Sequence, residues 1–220
     1  METGYSKWRK LDNAALAFPL VTGKNDSRVF RFYCQLKEEV DPDILQKALD
    51  QTMEKYPLFQ AVLRKGLFWF YLERRDIRAV VKPEKKPPCS QLYIPDQKSL
   101  LFRVSYHRNR INFEVYHALT DGTGAMNFVT ELVQDYLILA HPEDKLPWIE
   151  LADEATPGEQ EEDSFSQYYS SKIPKNKEKK PPAVQLKGEK LIHSDMQITE
   201  IIFSVKEILA CLLYTSPSPR

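Results

Sequence analysis

The strongest pattern along the chain is an alternation of apolar and polar positions that gives way to a helical period. "RVFRFYCQL", residues 28–36, is rich in β-formers and predicts a strand. "DPDILQKALDQTMEKYP" follows, with Asp41 as N-cap and Pro42 at the first helical position. Ile44, Leu45, Ala48, Leu49 and Met53 fall at helical spacing until Pro57 ends the run. "AVLRKGLFWFYLERR" predicts two further strands turning at Lys65 and Gly66, and "IRAVVKP" predicts another. "LLFRVSYHRNRINFEVYH", residues 100–117, predicts a hairpin with Asn109 and Arg110 as its loop. In that register Phe102, Val104 and Tyr106 share a face with Phe113, Val115 and His117, which places His117 on the buried side. Gly122 and Gly124 then open a helix whose residues Ala125, Phe128, Val129, Leu132, Val133, Tyr136 and Leu137 keep a 3.6-residue period up to His141-Pro142. The two glycines allow a sharp bend and a close approach.

Beyond Trp148 the pattern lapses. "DEATPGEQEED" carries acids and no base, "KIPKNKEKKPP" sets lysines against one glutamate, and residues 151–182 are expected to be a charged, flexible crossover. "MQITEIIFSV" predicts a strand, and Ser204 is placed to cap a helix that "CLLYTSPSPR" cuts short. The expected organisation is a lobe over 1–150, the crossover, a strand and the truncated start of a second lobe over 183–210, and a non-native tail over 211–220. The fold class expected is α/β (α+β), a mixed sheet flanked by helices.

Composition narrows the function. The 220 residues carry 31 Lys+Arg against 31 Asp+Glu, which argues against a nucleic-acid backbone as partner. Three scattered cysteines, Cys34, Cys89 and Cys211, suggest neither a disulfide framework nor a zinc knuckle. Pro19 interrupts the apolar stretch from Ala14 to Val21, so no signal peptide is read. No stretch approaches the roughly 20 apolar residues of a spanning helix. A soluble, cytoplasmic protein is expected.

Chemistry gathers at "HALTDG", His117 to Gly122. A neutral imidazole has the basicity to take a proton from a hydroxyl, amine or thiol near pH 7. Asp121 can bond backbone N–H groups or pair with a distant arginine while fixing the turn. His117 ends a strand and the helix starts later, so the pair does not share a helical face, and His107, His141, His193 and Cys89 add no ligand spacing; no metal is expected. Neither a GxSxG elbow nor a GxxxxGK[ST] loop is present.

"HALTDG", together with the order of an early strand, the Asp41 helix ending in "KYPLF", a meander and a motif strand running into a helix, resembles the chloramphenicol-acetyltransferase-like superfamily with its HxxxDG motif. That superfamily includes alcohol acyltransferases, wax-ester synthases and peptide-synthetase condensation domains. The resemblance covers residues 10 to 210 and implies one half of a two-lobed, CoA-dependent acyltransferase, the missing C-terminal half of the same chain being its partner. It implies His117 as the catalytic base, Asp121 as a structural residue paired with an arginine, and Gly122 as room beside the channel. It implies no permanently bound cofactor; acyl-CoA, acetyl-CoA first, is a co-substrate, and its binding residues are not identified. The acceptor implied is a small alcohol. Tyr116 stands where condensation domains and wax-ester synthases carry a second histidine, which favours an alcohol acetyltransferase. The alternatives are a condensation-type or carrier-protein-dependent acyltransferase making an amide or ester, and a non-catalytic binding module or inactive fragment.

Overall fold

A computed structural model describes residues 8–23, 26–67, 69–95, 97–149 and 201–215. The chain divides into two compact units, Met1–Pro181 and Pro182–Arg220. In the first, strand β1 (Trp8–Lys10) and a short helix α1 (Ala17–Val21) precede β2 (Val29–Gln35) and helix α2 (Pro42–Lys55). Strands β3 (Ala61–Lys65), β4 (Phe70–Arg74), β5 (Lys82–Pro83), β6 (Phe102–His107) and β7 (Arg110–Tyr116) lead to helix α3 (Gly122–Ala140). The strands form a three-stranded antiparallel sheet, β1-β4-β3, and a four-stranded mixed sheet, β2-β7-β6-β5, in which β5 alone runs parallel to its neighbour. The architecture is the expected mixed sheet flanked by helices.

Helix α2 starts where expected because Asp41 accepts from the Asp43 and Ile44 amides at 2.8 and 3.0 Å and so satisfies two orphan donors. Its buried stripe, Leu45, Ala48, Leu49 and Met53, joins one core with Phe113 and Val115 of β7 and Phe128 and Leu132 of α3. Phe128 stacks on Phe113 at 4.8 Å and on Phe59 at 4.5 Å, so α3 is seated on the face of β7 that the alternation assigned to the core.

Three strand expectations are corrected. Lys65 lies within β3, opposite Phe70, and the connection runs from Gly66 to Trp69, closed by Gly66 N–H donating to the Trp69 carbonyl at 2.7 Å. "IRAVVKP" contributes only Lys82 and Pro83 to the sheet, since the Gln46 side chain of α2 takes the backbone before them, accepting from Val81 N–H at 2.9 Å and donating to Ala79 O at 3.0 Å. The β6–β7 hairpin turns at Arg108 and Asn109, with His107 opposite Arg110. Arg108 takes the positive φ of 51°, and the loop is clamped by Leu36 N–H to Asn109 O (2.8 Å), Val40 N–H to Arg108 O (2.9 Å) and the Asn109 amide to Leu36 O (2.7 Å). Tertiary bonds to the 36–40 segment thus choose the turn. The pairing moves by two positions and leaves the faces intact: Phe102, Val104 and Tyr106 lie opposite Val115, Phe113 and Ile111.

In the second unit, residues 201–204 have no strand pairing and Val205–Thr215 form helix α4. Ser204 does cap it: Glu207 N–H donates to the Ser204 hydroxyl while the Glu207 carboxylate accepts from Ser204 N–H at 2.8 Å, a reciprocal capping box. The helix then continues through Cys211 to Thr215, so the expected break at 210/211 and the strand over 201–205 are both corrected. With the capping box in place, the run from Ile208 to Leu213 has strong enough helix formers to propagate up to the Ser-Pro sequence. The crossover expected over 151–182 and residues 183–200 of the second lobe lie outside the described residues. No helix among the described residues is long and apolar enough to cross a membrane.

Candidate functional site

Strand β7 lies inside the four-stranded sheet, between β2 and β6, and all of Ile111 to Tyr116 is buried. Ile111, Phe113 and Val115 meet the helices. Asn112, Glu114 and Tyr116 face the other way and are covered as well, by the 84–93 segment and the N-terminal residues. Glu114 accepts from Arg31 Nε at 3.1 Å, from Arg103 Nε at 2.9 Å and from the Cys89 amide at 2.7 Å. Arg31 also reaches Glu84 at 2.5 Å, and Glu84 accepts from Arg110 at 3.1 Å. Burial works to raise the Glu84 carboxyl, but the Arg31 and Arg110 guanidiniums outweigh it and hold the group below the usual carboxylate range. This network was not anticipated. Its signal lay in the register, since Arg31 and Arg103 are the cross-strand partners of Glu114 on the two sides.

Tyr116, fully buried, ends the strand; its hydroxyl lies 2.7 Å from the Thr22 hydroxyl and its ring 5.5 Å from that of Tyr93. Burial pushes its phenol from 10.0 up to about 12. A raised phenol favours the folded state while it is protonated, so this contribution is complete below pH 10.0 and is lost as the pH climbs through about 12. Denaturant midpoints of the wild type and Tyr116→Phe are therefore expected to converge across that window; parallel curves would show that the phenol titrates as in the unfolded chain.

His117 leaves the strand. Its N–H still donates to Arg28 O at 2.9 Å, but the backbone turns immediately, with Leu119 N–H returning to Tyr116 O at 2.9 Å. The alternation therefore stops one residue short, and His117 is exposed, not on the buried side as expected. Its ring is nonetheless held: Phe18 stacks on it at 4.4 Å and 12°, and Phe30 lies at 5.0 Å and 59°. Among the described residues neither ring nitrogen has a hydrogen-bond partner, which leaves both open to a ligand.

Asp121 is exposed and acts as the N-cap of α3, its Oδ1 accepting from Gly124 N–H at 2.9 Å. It bonds neither to His117 nor, among the described residues, to an arginine. Asp121→Ala is expected to lower stability by about 1 kcal/mol, whereas Asp121→Asn, an equally good cap, is expected to stay within a few tenths. Urea unfolding of the two variants separates a capping role from a need for charge, because only the latter would make them equivalent. The close approach in the turn belongs to Gly124, where a Cβ would come within 2.2 Å of Thr120 Oγ1; a Cβ on Gly122 would meet nothing within 4 Å. Neither glycine has a positive φ.

Other candidate chemistry is weaker. Burial raises the Cys34 thiol, and burial together with Glu114 raises that of Cys89, so neither is an activated nucleophile. No group of three His, Cys, Asp or Glu side chains among the described residues is placed to hold a metal. An open groove of about 390 Å³, lined by Asp50, Glu54, Lys55, Gln60 and Arg78 among others, includes no residue of the 117–124 turn.

No protein-family model matches the chain, and no curated protein matches it. Solved structures do. The starter condensation domain of the rhizomide synthetase RzmA aligns with a TM-score of 0.51 and 12% identity, over 62% of this chain and 39% of that one. A variant of that domain in complex with C8-CoA gives 0.51 and 14%, over 62% and 37%. The complex of the X-domain and OxyB from teicoplanin biosynthesis gives 0.50 and 13%, over 63% and 34%. The chain thus spans between a third and two fifths of the length of these structures, and over that span its fold is that of a condensation domain.

Proposed function

We propose that the complete protein is an acyltransferase that moves an acyl group from acyl-CoA to an alcohol hydroxyl, with His117 as general base. The observation that carries this reading is the placement of His117 at the end of an inner strand of a condensation-type fold, its imidazole held against Phe18 with neither ring nitrogen hydrogen-bonded among the described residues. In the reaction, the imidazole takes the hydroxyl proton as the alcohol oxygen bonds to the thioester carbonyl carbon. The C–S bond then breaks, and the CoA sulfur leaves with the proton returned by the imidazolium. The products are an ester, free CoA and neutral His117, with no acyl-enzyme.

Exposure of the ring fits a base whose open side meets the substrates, and the part of the complete protein beyond this span would supply the opposite wall. Asp121 holds the turn after the base in this reading, and Gly122, which has open space where a side chain would project, keeps the approach clear. The C8-CoA bound by a structural neighbour supports an acyl-CoA donor.

A second reading, a condensation-type transferase fed by a carrier protein, is favoured by the same neighbours being domains of a synthetase. The test is release of free CoA by the complete protein given acyl-CoA and a panel of alcohols. Turnover of only carrier-bound acyl groups would select the second reading. Binding of acyl-CoA without any turnover would make the protein a binding module.

A further inference from the structure

Tyr116 lies beside His117 in sequence, yet the two side chains belong to different surroundings, and a chain of contacts through α1 joins them. Thr22 caps that helix: its hydroxyl donates to Phe18 O at 2.7 Å and its N–H donates to the same carbonyl at 3.0 Å. A threonine hydroxyl has a single proton, already committed to Phe18, so in the 2.7 Å contact the Tyr116 hydroxyl is the donor and Thr22 Oγ1 the acceptor. Phe18, whose backbone this pair secures, stacks on the His117 imidazole at 4.4 Å.

Helix α1 has only five residues and no fully buried side chain, and Phe18 is the one residue in it that packs against the core, so a helix this short depends on its tertiary contacts for its placement. The tyrosine is anchored from the opposite direction, fully buried in β7 and against Tyr93.

We infer that Tyr116 is a positioning residue for His117, its hydroxyl fixing α1 through Thr22 so that the Phe18 ring covers one face of the imidazole and sets its orientation. This rests on the reading of His117 as the base and adds to it a reason for a tyrosine before the histidine: the phenol orients the neighbouring ring from behind, through Thr22 and Phe18, without touching substrate. A burial-raised phenol keeps its proton at neutral pH and so remains a donor.

The test is nuclear magnetic resonance of the His117 ring protons in the complete protein, assigned by a His117→Gln variant, because stacking under Phe18 displaces them upfield. Tyr116→Phe removes one oxygen and keeps the packed ring. It is expected to move the His117 signals downfield, and Thr22→Val should do the same. Thr22→Ser, which retains the hydroxyl, should keep the wild-type positions, and the double variant Tyr116→Phe/Thr22→Val should go no further than either single one. In turnover, Tyr116→Phe is expected to lower kcat about ten-fold with KM little changed, as for a misaimed base.

His117 signals unmoved in Tyr116→Phe would overturn the inference, as would Thr22→Ser behaving like Thr22→Val. If the ring moves as expected but His117→Ala retains full turnover, the positioning role stands and the catalytic reading of His117 falls.

Discussion

His117→Ala, in the complete protein, is expected to reduce release of CoA by about 10²- to 10⁴-fold, the range that a positioned general base contributes. The loss should fall on kcat and kcat/KM alike, because an alcohol keeps its binding contacts while the proton that must leave during attack has nowhere to go. Stability should change little, since the ring is exposed and leans on Phe18 and Phe30 without hydrogen-bonding to either. That combination, a large kinetic effect with a small thermodynamic one, separates a base from a packing residue. A variant with unchanged turnover removes His117 from the mechanism, and one that unfolds assigns it to the scaffold.

Glu114→Ala should behave in the opposite way, as a scaffold failure. The carboxylate is fully buried and answers Arg31, Arg103 and the Cys89 amide. Deleting it leaves two guanidiniums short of a counter-charge, and breaking a buried pair by removing one partner costs about 3–5 kcal/mol. The lower end applies, because Arg31 and Arg103 retain 12% and 18% side-chain exposure and Arg31 keeps Glu84. About 3 kcal/mol is a large part of a typical domain's 5–15 kcal/mol. Glu114→Gln should lose less, since the amide oxygen can still accept from Cys89. Denaturant midpoints with unchanged slopes measure both. A loss below about 0.5 kcal/mol for Glu114→Ala, the level of an ordinary surface substitution, would mean that the ions are solvated in both states.

Much of the path from Val29 to Ala140 was legible in the residues. Asp41 and Pro42 start α2 because cap chemistry is local, and the 3.6-residue run from Ala125 to Leu137 packs α3 on its apolar stripe. The faces of β7 also followed from alternation, because a side chain's direction in a strand depends only on parity. The turn of the β6–β7 hairpin did not, since Leu36 and Val40, distant in sequence, provide the bonds that select Arg108 and Asn109. The candidate site divides in the same way. His117, Asp121 and Gly122 stand out as a spacing, and Asp121's cap on α3 is a local contact that spacing anticipates.

By itself, then, the sequence determined the order and type of the main elements, the parity of β7 and the residue types available at its end, because each depends on backbone geometry over a few neighbouring positions. Only the tertiary structure decided that both faces of β7 are buried, that Glu114 gathers two arginines from flanking strands, and that the chain turns away at Tyr116 and leaves His117 exposed beneath Phe18. Those outcomes depend on segments tens of residues apart closing on one strand, where the cost of burying charge is offset only by partners that the local pattern does not contain.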